Sequence, residues 1–150
     1  MKRCILYIVI LLAMLMIPAE GSDVGRLLPV EVFAVDQRAG TVRIETDTGN
    51  VGTGSDLEAA YQDLCQSASA EIFLNTADNL ILSGDAAQLV GQLRQYLKPN
   101  IRVCRSEGGI DLAEVGEYLS IHVPDYCLKD IDKVTEMVIL TQTEKGFCLK

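Results

Sequence analysis

The sequence is short of several residue types, and each shortage removes a class of protein from consideration. It has no Trp, one His and four Pro in 150 residues, and its 13 Lys and Arg are outnumbered by 21 Asp and Glu. Because Lys and Arg supply most of the affinity for nucleic acid, this balance argues against a nucleic-acid partner. Five Cys are too few for a disulfide-stapled miniprotein, and a hydrophobic content of 49% is too high for a disordered chain. One small globular domain is the expectation that remains.

The longest apolar run lies at the N-terminus, from Cys4 to Ile17, after two basic residues and before the small residues Ala19 and Gly21. A basic start, about 7–15 apolar residues and a small-residue exit are typical of a secretory signal peptide, whereas a membrane-spanning helix needs about 17–25 residues. The pattern predicts a signal peptide over residues 1–21, with an uncleaved N-terminal membrane anchor as the alternative. In both cases we expect an exported chain, and it would meet a membrane through this segment only if the segment is not cleaved.

The predicted mature chain, residues 22–150, carries a net charge of −9 and four cysteines. In an oxidising compartment Cys65, Cys104, Cys127 and Cys148 are candidates for two disulfides, and the sequence does not choose among the three pairings. No CxxC motif is present, so neither a redox site nor a zinc ribbon is indicated. Cys65 also fits the apolar stripe of a helix, where it would be a small core residue.

Apolar spacing in the first part of this chain predicts alternating strands and helices. Residues 29–47 alternate as in a β-hairpin at or near a sheet edge, with one face buried and one in solvent. A helix is predicted from Ser55 to about Ser67. A helix of about thirteen residues between an apolar strand at 80–82 and a strand at 101–105 predicts a parallel βαβ unit.

Two C-terminal helices are predicted after this core. The first follows a cap-like pair, Asp111 and Glu114, and the second covers about residues 128–140. Residues 141–150 are predicted to be a loose tail. The predicted fold class is therefore α/β with a mixed sheet, namely a β-β-α-β-α-β core and two C-terminal helices in a layered sandwich, within one domain over residues 22–150.

The most enzyme-like feature is Gly52-Thr53-Gly54-Ser55, predicted to be a Gly-rich loop before a helix that Ser55 and Glu58 cap. Backbone amides at a helix N-terminus attract anions, which makes these four residues a candidate anion site. The lysine of a P-loop and the third Gly of a dinucleotide fingerprint are both missing. A pivot from strand to helix requires Gly in any case, so a structural role is the favoured interpretation.

No other arrangement of residues indicates a chemistry. His122 is the one histidine, the G-x-S-x-G motif is absent, and a lone His is most often a surface or capping residue. A metal site of His122 with Cys127 is the weakest of the options considered. Acidic pairs such as Asp36 with Asp47 are expected by chance in so acidic a chain. We predict no catalytic residue, no metal and no cofactor, and we do not expect an enzyme.

Several segments occur in a characteristic order: Ala34-Val35-Asp36-Gln37, Val42-Arg43-Ile44, Gly52 to Ala60, Ile72-Phe73-Leu74, Asn79 to Gly84, and Arg102-Val103-Cys104. In order and spacing, over about residues 30–106, they resemble the N-terminal domain of the spore germination receptor C subunits, the Ger(x)C lipoproteins. This resemblance implies a non-enzymatic extracytoplasmic module of a spore-forming bacterium that contacts membrane receptor subunits.

The chain departs from that family in three respects. It lacks the lipid-accepting Cys after the apolar run, since Cys4 precedes the run. It is far shorter than the multi-domain subunits, so it would be a single-domain relative. Residues 75–78 also lack the His-containing segment associated with that position.

Together these observations predict an exported protein-interaction module, linked to sporulation or germination by the resemblance, with membrane receptor subunits as the expected partners. The alternative is a small secreted or cell-envelope enzyme or ligand binder that uses residues 52–55 as an anion site.

Overall fold

The structure is a computed structural model that describes residues 27–131, 137–144 and 146–150. The predicted signal peptide, residues 1–21, lies outside the described residues. Within them the strands and helices are β1 (Leu27–Pro29), β2 (Val32–Arg38), β3 (Thr41–Thr46), β4 (Val51–Gly54), α1 (Leu57–Ser67), β5 (Glu71–Phe73), β6 (Asn79–Gly84), α2 (Val90–Leu93), β7 (Arg102–Ser106), α3 (Leu112–Ile121), β8 (Ile139–Thr143) and β9 (Gly146–Leu149).

Seven of the described strands form one mixed sheet in the order β4-β3-β2-β6-β7-β8-β9. The central part of the sheet is parallel and consists of β2, β6, β7 and β8. Antiparallel strands flank it, with β3 and β4 on one side and β9 on the other. β1 and β5 pair separately in parallel. The predicted class, α/β with a mixed sheet, is confirmed, and so is the parallel pairing of β6 with β7.

The predicted hairpin is formed by β2 and β3. Its two turn residues, Ala39 and Gly40, have φ of +49° and +78°. Two positive φ values are what a two-residue hairpin turn requires to match the twist of its strands. In β3, Val42 and Ile44 are buried and their neighbours face solvent, as predicted. β2 is a more interior strand than predicted, because β6 pairs with its other edge and both of its faces are covered.

The sheet separates two hydrophobic clusters. On the face that we call the α1 face, α1 and the turn before α2 pack against residues such as Phe33 and Leu80. On the opposite face, the α3 face, α3 packs against Val32, Ile81 and Cys104. Successive residues of β2 and β6 thus enter different clusters, which explains why these strands are apolar runs rather than alternating sequences.

The helix predicted after residue 83 is shorter than expected. A 3₁₀ turn over Ala86–Leu89 is followed by the single α-helical turn of α2. Its apolar residues are nevertheless buried, including Leu93 and Leu97. Gly91 lies in the middle of the segment and lowers its helix propensity, so packing rather than propensity holds the segment in place.

The C-terminal prediction is only partly right. Asp111 caps α3 as expected, since its Oδ1 accepts the Ala113 N–H at 3.0 Å. Of the predicted helix over 128–140, residues 128–130 form a 3₁₀ turn, residues 132–136 lie outside the described residues, and residues 139–140 begin β8. The predicted loose tail is the β8–β9 hairpin. Pairing with the free edge of β7, through which Leu140 becomes buried, outweighs the helical spacing.

Candidate interaction surface

The predicted Gly-rich loop is a strand. Gly52, Thr53 and Gly54 lie in β4, and α1 packs directly on them. A Cβ atom added to Gly52 would meet the carbonyl oxygen of Ala60 and would lie 2.5 Å from the Leu64 amide nitrogen. Gly54 has an equally close approach to the first turn of α1. The absence of a side chain at both positions is therefore what lets the helix backbone rest on the strand.

Carboxylates already bind the backbone amides around this motif. The N-cap of α1 is Asp56 rather than the predicted Ser55, and its Oδ1 accepts the Ala59 N–H at 2.8 Å. Asp63 Oδ2 accepts the Thr53 N–H, also at 2.8 Å. Two carboxylates at hydrogen-bond distance repel an anion, so the geometry favours a packing role for residues 52–55.

The four cysteines predicted as disulfide candidates are free thiols at separate positions. Cys65 is exposed on α1, so its prediction as a core residue is wrong. Cys104 and Cys127 are buried, and Cys148 is half-buried in β9. Cys104 belongs to the cluster on the α3 face. Phe147 and Leu149 pack against that same cluster, and because side chains alternate along a strand, Cys148 between them lies on the other face of the sheet. The two-disulfide framework stays a prediction that counting of thiols would test.

Burial raises the pKa of one of these thiols and of a tyrosine that contacts another. It raises the pKa of the Cys104 thiol from 9.0 to about 12, so this thiol is neutral and poorly nucleophilic near neutral pH. Burial is also the main cause that raises the pKa of Tyr61 to about 12, with a hydrogen bond to Cys65 adding to the effect. Among the described residues, no group of three or more His, Cys, Asp or Glu side chains is arranged to hold a metal ion.

The remaining candidates from the sequence are separate surface groups. His122 is the exposed C-cap of α3, and its ring stacks on Tyr118 at a centroid distance of 4.3 Å. The interpretation of His122 as a surface or capping residue is therefore confirmed. Asp36 lies near the turn of the β2–β3 hairpin and Asp47 lies at its open end, so they do not form a carboxylate pair.

The two edges of the large sheet differ in how their outward backbone groups are satisfied. At β4, α1 covers the edge. Asp63 accepts the Thr53 N–H, and the Ser67 hydroxyl donates to the Val51 carbonyl at 3.0 Å. Side chains that take up edge groups in this way block the addition of another strand.

The β9 edge is open at one residue. Ile139 and Lys150 exchange both backbone hydrogen bonds, which sets the register so that Phe147 and Leu149 direct their N–H and C=O groups outward. The Leu149 N–H donates to the Tyr118 hydroxyl at 3.2 Å. In the part of the chain that the structure describes, neither backbone group of Phe147 has a partner. The N–H and C=O of Phe147 are therefore available to pair with one residue of an added extended segment.

An exposed apolar side chain lies beside this open edge. Ile121, the last residue of α3, is 72% exposed. Tyr118 of α3 contacts Phe147 of β9, and the centroids of the two rings are 5.6 Å apart. A shallow groove of about 530 Å³ runs between them and is also lined by Glu114 and Glu117. We call Glu114, Glu117, Tyr118, Ile121 and Phe147 the α3–β9 surface.

Sequence patterns alone do not predict this surface. Its strand lies in the segment predicted as a tail, and only the pairing of β8 with β7 makes β9 a sheet edge. One signal was available: Ile121 is a large apolar residue that does not fit the buried stripe of Leu112, Val115 and Leu119.

Comparison with models of protein families, with curated proteins and with solved structures finds no match to this chain. None of the helices formed by the described residues has the length and apolar character needed to span a bilayer.

Proposed function

We propose that this chain is a non-enzymatic extracytoplasmic module that binds an extended segment of a partner protein at the α3–β9 surface. The observation that carries the proposal is the open backbone edge of Phe147 next to the exposed side chain of Ile121. Main-chain hydrogen bonds supply affinity in strand addition, and neighbouring apolar side chains supply specificity. The signal-peptide layout of residues 1–21 supports an extracytoplasmic location.

Charge indicates the kind of segment that would bind. The groove is lined by the exposed carboxylates of Glu114 and Glu117, in a chain with a net charge of −8. A partner segment with Lys or Arg beside apolar residues would complement both features. The resemblance to the Ger(x)C subunits supports a membrane receptor subunit of a spore-forming bacterium as the protein that contains this segment.

Affinity capture with a matched pair of variants tests this function. The tagged full chain is expressed in its source bacterium during sporulation, and solubilised membranes are the source of partners. We expect the native chain to retain a membrane protein that the Ile121→Asp variant loses. Gln66→Asp places the same charge on an exposed position of α1, at the other side of the sheet, and should retain it. Both positions are exposed and lie in the last turn of a helix, where a carboxylate costs about 0.3–1 kcal/mol, so the two variants should be destabilised to a similar, small extent.

Salt provides a second readout. Retention should weaken as the salt concentration is raised, because the Debye length falls from about 10 Å at 0.1 M to about 3 Å at 1 M. The proposal fails if both variants retain the same proteins as the native chain, or if no membrane protein depends on Ile121.

A further inference from the structure

A separate cavity of about 250 Å³ opens on the α3 face where β6 and β7 end. After β6 the chain turns to the α1 face, where Ala86 is buried, and after β7 it passes to α3 on the opposite face. Neighbouring strands whose connections leave toward opposite faces open a crevice at their carboxyl ends. In open α/β sheets this crevice is where ligands generally bind.

The cavity has an apolar floor and a fixed wall. Its floor residues are Ala34, Ile81, Ile110 and Leu112. The wall is the loop after β7, which Ser106 holds in place: this side chain is buried, and its Oγ donates to the Gly108 carbonyl at 2.8 Å. A wall that is tied to the end of a central strand keeps the cavity open without a ligand.

Two arginines on the rim have unused donors. Arg38 Nε donates to Asp36 Oδ1 at 3.1 Å, and Arg43 Nη2 donates to Glu45 Oε2 at 2.9 Å. Neither guanidinium makes another hydrogen bond within the described residues, although each carries five N–H donors. The arginine side chains are 62% and 53% exposed, against 33% and 36% for their carboxylates. Asp36 and Glu45 also line the cavity, so a bound carboxylate would be held by the unused N–H donors of the two guanidinium groups rather than by a net positive charge.

The register places these arginines close together. Arg43 lies directly across from Asp36, which is two residues before Arg38 on the same strand face. Diagonal neighbours on one face are about 7–8 Å apart at their backbones, a span that long side chains can bridge. A carboxylate between the two guanidinium groups would receive hydrogen bonds from both.

We propose that this cavity binds a small carboxylate with a short apolar body. The carboxylate would lie between Arg38 and Arg43, and the apolar body would cover Ala34 and Ile81. The Ser83 hydroxyl lines the cavity and makes no hydrogen bond in the described part of the chain, so it is available to a second polar atom. The volume is below the range of about 300–1,000 Å³ that is usual for drug-sized ligands, which favours a small molecule or a chain terminus.

Three probes test this site on the full chain. 4-Methylpentanoate is a free acid, N-acetyl-leucine represents the C-terminus of a peptide, and N-acetyl-leucinamide is the uncharged analogue that has the same apolar body without a carboxylate. Binding is measured by calorimetry and by the shifts of the Gly108 and Gly109 amide resonances, with each probe at about 10 mM so that a millimolar Kd is detected. We expect one or both carboxylates to bind and N-acetyl-leucinamide not to bind. Binding of N-acetyl-leucine alone would identify a peptide terminus, and binding of 4-methylpentanoate would identify a free acid.

Charge variants and a blocking variant locate the site. Arg38→Gln and Arg43→Gln should each weaken binding about tenfold or more, because each removes a charged hydrogen-bond donor. Lys129→Gln removes the same charge from an exposed residue away from the cavity and should have no effect. Gly109→Leu should abolish binding. A Cβ at Gly109 meets no atom within 4 Å, and the same is true at Gly91, so Gly91→Leu is its matched control.

The proposal is overturned if neither carboxylate binds, if N-acetyl-leucinamide binds as well as they do, or if the arginine and Gly109 variants bind like the native chain. Ile121→Asp should leave probe binding unchanged, since Ile121 is not among the residues that line this cavity. Failure of this site and failure of the α3–β9 surface are therefore separate results.

Discussion

Replacing Gly52 by alanine is expected to be among the most destabilising small changes in this protein. The added methyl group would lie 2.5 Å from the Leu64 amide nitrogen and 2.6 Å from its Cβ, and it would meet the carbonyl oxygen of Ala60. Two of these atoms belong to the backbone of α1, so no rotation of a side chain relieves the contact. The helix must move away from β4, together with the buried Leu57 and Leu64 that it contributes to the core.

The magnitude follows from that displacement. Overpacking of a core by one methyl group usually lowers the free energy of unfolding by about 1–3 kcal/mol. A collision with backbone is expected at the upper end of that range, about 3 kcal/mol. That is a large part of the 5–15 kcal/mol that is typical of a native domain. For a domain of this size it corresponds to a fall in Tm of about 10 °C.

Urea unfolding of the native chain, Gly52→Ala and two control variants measures this effect. Gly91→Ala and Gly109→Ala add the same methyl group where no atom lies within 4 Å, so neither should lower the free energy of unfolding, and Gly91→Ala should raise it by up to about 1 kcal/mol because Gly91 lies in a helical turn. If Gly52→Ala is as stable as these controls, the close approach of α1 to β4 is not present in the protein, and the packing explanation of the Gly-x-Gly motif is wrong.

Four further predictions concern the hairpin turn, the N-cap of α1, the accessibility of two cysteines and the titration of Cys104. Ala39→Asn should stabilise the protein by about 1 kcal/mol in urea unfolding, because Asn tolerates the φ of +49° better than Ala does; a loss of stability would contradict the turn geometry. Asp56→Ala should cost about 1 kcal/mol and Ser55→Ala much less, and the reverse order would restore Ser55 as the N-cap. A thiol reagent should label Cys65 rapidly and Cys104 only after unfolding, as followed by mass spectrometry, and early labelling of Cys104 would refute its burial. The folded pKa of Cys104 lies above the unfolded value, so its stabilisation is present below pH 9.0 and lost as the pH rises toward about 12. The free energy of unfolding should fall over that range, and less so in Cys104→Ala than in the native chain.

Local patterns were sufficient for the parts of the fold that depend on local interactions. The period-two alternation of residues 29–47 predicted the β2–β3 hairpin, and strands on both sides of a helical spacing predicted the parallel neighbours β6 and β7. Asp111 was recognised as a cap because its side chain acts on an amide only two residues away.

The errors arose where distant parts of the chain decide the structure. Leu128 and Ile131 have helical spacing, yet the strand that follows them pairs with β7, more than 30 residues earlier. Gly52 and Gly54 are visible in the sequence, but the helix backbone that requires them to be Gly is not. The α3–β9 surface was missed for the same reason, since Phe147 becomes an edge residue only after β8 joins the sheet.

Photo-crosslinking in the cells that produce this protein tests whether a partner is recognised at the α3–β9 surface. Ile121 and, as a control, Gln66 are replaced in turn by benzoylphenylalanine, and the intact cells are irradiated before extraction. We predict a covalent adduct with one membrane protein from position 121, and no such adduct from position 66. Absence of any adduct from position 121, or the same adduct from both positions, would show that the α3–β9 surface does not recognise a membrane protein.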